Sequence, residues 1–142
     1  MVRALRLLLL TAFVLLGASA EAPAQKPDAD AEAAGRIVMQ QLDAFRRDDY
    51  DTAFTFASEE IHQLFDRLRF EAMVRGGYPE IARSASALIT GSERGDGGRL
   101  YLLVRVRGAN GQAIEAVYEM VLEKGAWRIN GVVARPDTSE RA

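Results

Sequence analysis

The sequence predicts an α+β domain in which N-terminal helices pack on an antiparallel sheet of about four strands. Three observations carry that expectation. Apolar residues recur at helical spacing from Ala34 to Val74, whereas from Leu100 to Ala134 they alternate with other residues in three runs. Asn110-Gly111 and Lys124-Gly125 separate those runs as hairpin turns do. Helices first and strands afterwards place the helices together on one apolar face of the sheet.

The first 20 residues are a different material from the rest. Arg3 and Arg6 form a basic start, residues 7–16 an apolar run, and Ala18-Ser19-Ala20 a small-x-small cleavage site, the pattern of an export leader. Ten apolar residues are too few to cross a bilayer, which takes about 20, so no membrane span is expected in the mature chain. The absence of cysteine excludes a lipid attachment point and a disulfide framework. These features predict an exported, periplasmic protein. Of 142 residues, 122 follow the leader, enough for one core. Without Arg3 and Arg6 the 18 basic residues become 16 against 20 acidic, a net charge of −4 that argues against nucleic acid. Residues 21–29, with two prolines among alanines, read as a linker, 30–135 as the domain, and 136–142 as a polar tail that frays.

Asp30 is the expected N-cap of the first helix, with Glu32 in its first turn. Ala34, Val38, Leu42 and Phe45 form its apolar stripe, flanked by Ile37 and Gln41. Gly35 should weaken the start by about 1 kcal/mol relative to alanine. Arg46-Arg47-Asp48-Asp49 turns the chain into a short helix bearing Tyr50, Ala53, Phe54 and Ala57. Ser58 before Glu59 and Glu60 caps a third helix, which groups Ile61, Leu64, Phe65 and Leu68 and runs through Phe70, Met73 and Val74 to Gly76-Gly77. One more turn around Ile81, a weaker strand over 85–91 and a loop over 92–98 complete the approach to the sheet.

The strands are expected at 100–107, 113–123 and 126–134. Their register follows from asking which loop puts like beside like. A two-residue Asn110-Gly111 loop would set Val106 against Glu115. A three-residue loop, with Ala109 and Asn110 in a type I turn and Gly111 at positive φ, pairs Val106 with Ile114, Val104 with Ala116, Leu102 with Tyr118 and Leu100 with Met120. Continuing through a two-residue Lys124-Gly125 loop aligns Leu122 with Trp127, Met120 with Ile129, Tyr118 with Gly131 and Ala116 with Val133. Leu103, Val117, Val121 and Val132 then point away from the helices, ringed by Arg105, Glu115, Glu119, Arg128 and Asn130. An apolar centre with a polar rim on a sheet face is a candidate interface for a homodimer or a protein partner.

The run from Gln40 to Ser58, QQLDAFRRDDYDTAFTFAS, resembles the opening helices of the nuclear-transport-factor-2-like (cystatin-like) superfamily. FEAMVRGGYP, from Phe70 to Pro79, and GAWRINGV, from Gly125 to Val132, resemble a bacterial family within it, domain-of-unknown-function family 4864. The resemblance covers Ile37 to Val133. It implies a curved sheet wrapped by helices into a cone with an internal cavity, and it implies no activity.

Enzymes on that plan, the ketosteroid isomerases and scytalone dehydratases, place acid-base residues inside the cone. Here the expected inward positions of the sheet offer only Tyr118 and Trp127 as polar-capable side chains, so proton transfer has no base and no catalytic residue is assigned. His62, the one histidine, falls off the Ile61, Leu64, Phe65, Leu68 stripe and reads as an exposed helix residue. A metal site lacks ligands, because Glu59 and Asp66 around His62 are as readily surface charges, and Asp48-Asp49-Tyr50-Asp51 lacks the spacing and terminal glutamate of a calcium loop. Ser58 is a cap, while Ser84 and Ser86 have no partner base. No cofactor is implied. The aromatic group Tyr50, Phe54, Phe65, Tyr78, Tyr118 and Trp127 either fills the core or lines a site for a small apolar ligand, with Tyr50, Phe54, Tyr78, Tyr118 and Trp127 the candidate binding residues. The sequence therefore predicts an exported, non-catalytic binding or assembly domain, with an isomerase- or hydrolase-like enzyme acting in the cavity as the alternative.

Overall fold

The computed structural model describes residues 28–139. The leader expected over 1–20, residues 21–27 of the linker and residues 140–142 of the tail lie outside them. Helix α1 (Ala29–Arg46) is capped by Asp28, not by the expected Asp30: the Asp28 carboxylate accepts from the backbone N–H of Asp30 at 3.0 Å and of Ala31 at 3.3 Å. Asp28 offers the same capping chemistry two residues earlier, and Arg94 holds both acids, at 3.0 Å from Asp28 and 2.9 Å from Asp30. Ala34, Val38, Leu42 and Phe45 are buried as their spacing predicts, and Gln41 is buried beside them. Gly35 lets the helix lie close against the sheet, since a Cβ there would stand 2.7 Å from Ile89 Cδ1. The helix ends at the expected polar cluster, with Asp48 in the left-handed region at φ 55° and Asp49 capping α2 (Tyr50–Thr55) through Thr52 N–H at 3.1 Å.

The third helix is two helices. Ser58 caps α3 (Glu59–Leu64) through the Ile61 N–H, as expected, but Phe65 is extended, at φ −130° and ψ 138°, and Asp66 starts α4 (Arg67–Gly77) with a fresh cap on the Arg69 N–H at 2.8 Å. A capping carboxylate next to an aromatic that packs on the core outweighs a continuous helical rhythm. The break leaves Leu64 and Leu68 64% and 70% exposed, while Ile61 and Phe65 pack inward. Pro79 then opens the short α5 (Pro79–Ala82), the turn expected around Ile81.

Strands β1 (Ser84–Arg94), β2 (Leu100–Gly108), β3 (Ala113–Glu123) and β4 (Ala126–Pro136) form one antiparallel sheet in the order β1-β2-β3-β4. The fold is the expected α+β arrangement, helices followed by a four-stranded antiparallel sheet. β1 is longer than the segment 85–91 because its pairing slips between Ser84 and Ser86 and again between Ile89 and Gly91, which hides the alternation a sequence reading relies on. The first hairpin has the register deduced from the turn. Val106 opposes Ile114, Val104 Ala116, Leu102 Tyr118 and Leu100 Met120, and the Gly111 N–H, at φ 81°, donates to the Gly108 carbonyl at 3.0 Å. These eight inward side chains are all at least nine-tenths buried, and each valine, leucine, isoleucine and methionine among them contributes about 1.5–3 kcal/mol by leaving water.

The second hairpin departs from expectation half-way along. Lys124 and Gly125, both at positive φ, make the two-residue turn, and Trp127 and Ile129 oppose Leu122 and Met120. Between Glu119 and Met120, however, β4 carries an extra residue, Asn130, so Tyr118 opposes Val132 rather than Gly131, and Ala116 opposes Ala134 rather than Val133. The bulge inverts the parity of everything after it. Val132 therefore faces inward, not outward, and Val133 takes the outward place with 73% of its surface exposed. The same edge of β4 is covered where Ala57 bridges Ile129: the Ser58 N–H donates to the Ile129 carbonyl at 2.9 Å and the Ile129 N–H to Phe56 at 2.8 Å. Beyond β4, the chain is tied down as far as Ser139. The Asp137 N–H donates to the Ala113 carbonyl at 2.9 Å, and its carboxylate holds Arg105 at 2.7 Å.

Candidate functional site

Between the inner face of β3 and β4 and the helices lies a pocket of about 250 Å³. Tyr118 on β3 and Ile129 and Val132 on β4 form its wall on the sheet side. Gln41 and Phe45 of α1, Ile61 of α3, Phe65 at the helix break, and Phe70, Met73 and Val74 of α4 close it from the helices, with Tyr78 at the junction with α5. The bulge at Asn130 is what turns Val132 into this wall. The bulge itself is held by Asn130, whose amide oxygen accepts from Ser58 Oγ at 2.6 Å and whose amide nitrogen donates to Glu119 at 3.3 Å.

Three polar side chains reach an otherwise apolar lining. Gln41 Nε2 donates to the Ala53 carbonyl at 3.1 Å, and the Tyr78 hydroxyl donates to the Val132 carbonyl at 3.2 Å. The Tyr118 hydroxyl has no partner, although the residue is only 1% exposed. Burial pushes the Tyr118 phenol well above its ordinary range, with a smaller contribution from Tyr78, so it stays protonated and offers a donor at neutral pH. A buried hydroxyl without a partner costs about 1–3 kcal/mol of desolvation. Tyr118 is thus a residue of the wall whose hydroxyl is unused and closed off from solvent, so a ligand reaches it only by displacing the side chains around it.

Of the five binding residues expected from sequence, Tyr78 and Tyr118 stand in this wall. Tyr50 is buried under Arg75, whose guanidinium carbon lies 4.6 Å from the ring centroid, and packs on Phe45 at 5.2 Å. Phe54 stacks between His62 and Phe70, at 3.9 and 4.9 Å. Trp127 is buried in the sheet core opposite Leu122. His62 is exposed. The acids of the turn after α1 are engaged with arginines or the backbone: Asp48 with Arg75 and Arg83, Asp49 with Thr52, and Asp51 with Arg67 at 2.8 Å. Gln41 and Met73 belong to the wall and were not expected in it, and Phe65, which the aromatic group included but the five candidates did not, is also there. Gln41 carried a signal, a polar residue at the margin of a buried stripe.

A broader trough of about 1230 Å³ runs between α1 and β1, lined by charged residues including Asp43, Arg46 and Arg47. Asp43 is shared by Arg46 at 3.5 Å and Arg47 at 3.2 Å, so these charges satisfy one another on a solvated surface.

The model of a domain of unknown function, DUF4864, matches residues 27–142. This chain belongs to the DUF4864 family. The match includes every residue of the pocket wall, so the pocket lies within the DUF4864 domain. No curated protein matches the chain. Among solved structures it is similar to Aln2 from a Streptomyces species, at 16% identity and a TM-score of 0.52 over 78% of this chain and 94% of that one. It is also similar to RPA3114, a SEC-C motif containing protein from Rhodopseudomonas palustris, at 16% identity and a TM-score of 0.45 over 78% and 95%. At that identity the likeness to Aln2 is one of fold. Among the described residues no helix is long and apolar enough to cross a membrane.

Proposed function

We propose that this DUF4864 protein is an exported, non-catalytic binding domain of nuclear-transport-factor-2-like build, whose inner pocket receives a small, neutral, mostly apolar molecule. The observation that carries the reading is the unpartnered Tyr118 hydroxyl in an apolar wall. A ligand with one acceptor oxygen, a ketone, ester or ether, gives that donor its bond, while the aliphatic and aromatic lining takes up the rest. A carboxylate ligand is disfavoured because no cationic side chain lines the pocket to offset its desolvation. The lining also holds no carboxylate and no histidine, which supports binding over an isomerase- or hydrolase-like reaction, both of which need a positioned base.

Titration of the purified protein with small cyclic ketones such as camphor, and with the hydrocarbons of the same shape, tests this reading. Tyr118→Phe should weaken the ketones about tenfold and leave the hydrocarbons unchanged, the contribution of one hydrogen bond of about 1.4 kcal/mol. Equal ketone affinity in both proteins, or no binding of any member, removes the reading. Export is tested separately by the intact mass of the periplasmic fraction, which should begin at Glu21, and a chain that retains Met1 overturns it.

A further inference from the structure

The face of the sheet opposite the pocket carries a row of four positions, one on each strand and matched in register: Gly91, Leu103, Val117 and Val133. The row is uneven. Val133 stands 73% exposed at one end. Gly91, at the other end, leaves a notch, where a Cβ would meet only Leu103 Cδ1 at 4.0 Å. In the neighbouring row Arg105 opposes Glu115, with Arg135 on the far side of Glu115. Hydrophobic side chains next to unlike charges, with a knob at one end and a notch at the other, form a surface complementary to itself.

We infer that this face pairs with the same face of a second copy, about a two-fold axis running along the strands between β2 and β3. That rotation exchanges β2 with β3 and β1 with β4. It sets Leu103 against the second copy's Val117, seats Val133 in the notch over the second copy's Gly91, and brings Arg105 to the second copy's Glu115. Each contact occurs twice, as an isologous interface requires. The other in-plane two-fold, directed across the strands along the row, lays Glu115 over the second copy's Glu119, and like charges disfavour it. Sheets packed face to face lie about 10 Å apart, close enough for these side chains to interdigitate. A standard interface would cover roughly 800 Å² of each copy. Val121 lies on the same face, two residues along β3 from Glu119, whereas Val132 takes no part because the bulge turns it inward.

The protein contains no cysteine, so thiol cross-linking reads the geometry directly. Facing positions about 10 Å apart lie beyond the roughly 7 Å between Cα atoms that a disulfide spans but within reach of a short bismaleimide, whereas Gly91 and Val133 of one chain are three strand spacings apart, about 14 Å. The Gly91→Cys, Val133→Cys double variant treated with the bismaleimide should therefore yield a covalent dimer on a denaturing gel, while each single variant remains a monomer on that gel. In sedimentation velocity at micromolar concentration the wild type should be a dimer, and both Val117→Lys and Gly91→Leu should be monomers with unchanged circular dichroism. Gly91→Leu fills the notch at a half-buried position where the nearest atom to a Cβ, Leu103 Cδ1, is 4.0 Å away, so it carries the test even if Val117→Lys fails to fold. A monomeric wild type overturns the inference. So does a Gly91→Leu protein that dimerises like wild type, or a single-cysteine variant that cross-links as well as the pair.

Discussion

Ser58 Oγ donates to Asn130 Oδ1 across 2.6 Å, joining the N-cap of α3 to the extra residue of the β4 bulge. The same hydroxyl oxygen accepts from the Ile61 N–H at 3.3 Å, so one buried side chain starts a helix and anchors the residue that turns Val132 into the pocket. Ser58→Ala removes both bonds and leaves the Asn130 amide short of a partner. It should lower stability by about 1–3 kcal/mol in urea melts, whereas Gln63→Ala on the exposed side of α3 should change it by less than about 0.5 kcal/mol. Equal effects would mean that the hydroxyl is not holding the bulge.

The first hairpin supplies a backbone test. Gly111 at φ 81° occupies a conformation that a β-branched residue enters only with strain. Gly111→Val should cost at least about 1 kcal/mol and Ala109→Ser, on the exposed turn beside it, very little. Urea denaturation of the two variants measures the difference directly.

Tyr50 separates packing from hydrogen bonding. Its hydroxyl is buried without a partner, while its ring contacts Phe45 and lies under Arg75. Tyr50→Phe should leave the melting temperature unchanged or raise it, because the substitution deletes an unsatisfied polar group. Tyr50→Ala should cost about 3–5 kcal/mol through the cavity that it opens.

Acid sensitivity follows from the carboxylates around Arg75. A hydrogen bond from Arg75 holds Asp48 below the usual carboxylate range, with Arg83 adding to it, and the Glu71 carboxyl is held low first by Arg75 and then by Arg67. A carboxylate whose pKa is lowered by folding contributes stability that is complete above its unfolded pKa and is lost as pH falls through the folded value. Melting temperature should therefore hold down to about pH 5 and decline below about pH 4. Because Asp48 is exposed and Glu71 half-buried, salt should shrink the decline in part, and Asp48→Asn should flatten part of it. An acid limb identical in Asp48→Asn and wild type would place the sensitivity elsewhere.

The α+β class, strands β2, β3 and β4 and the register of the first hairpin were legible in residues 28–139 because local rules decide them, whereas the two bulges of β1 left only part of that strand legible. Alternation marks the strands, and the charge conflict of Val106 with Glu115 excludes the shorter loop. The helix stripe at Ala34, Val38, Leu42 and Phe45 was legible for the same reason, as was the cap at Ser58. The break at Phe65 was not, since a helical rhythm continues through it and only the packing of Phe65 on the core and the capping of Arg69 by Asp66 interrupt the chain there. The candidate site was half legible. Tyr78 and Tyr118 could be named from their type and position, but the pocket's composition depended on Asn130. One inserted residue inverts the side of every residue that follows, and in the run Gly131-Val132-Val133-Ala134 both parities look apolar. Sequence by itself determined the elements and the faces where one face is clearly polar; tertiary structure alone decided which valine of β4 faces the pocket, because a bond between residues 72 positions apart holds the bulge in place.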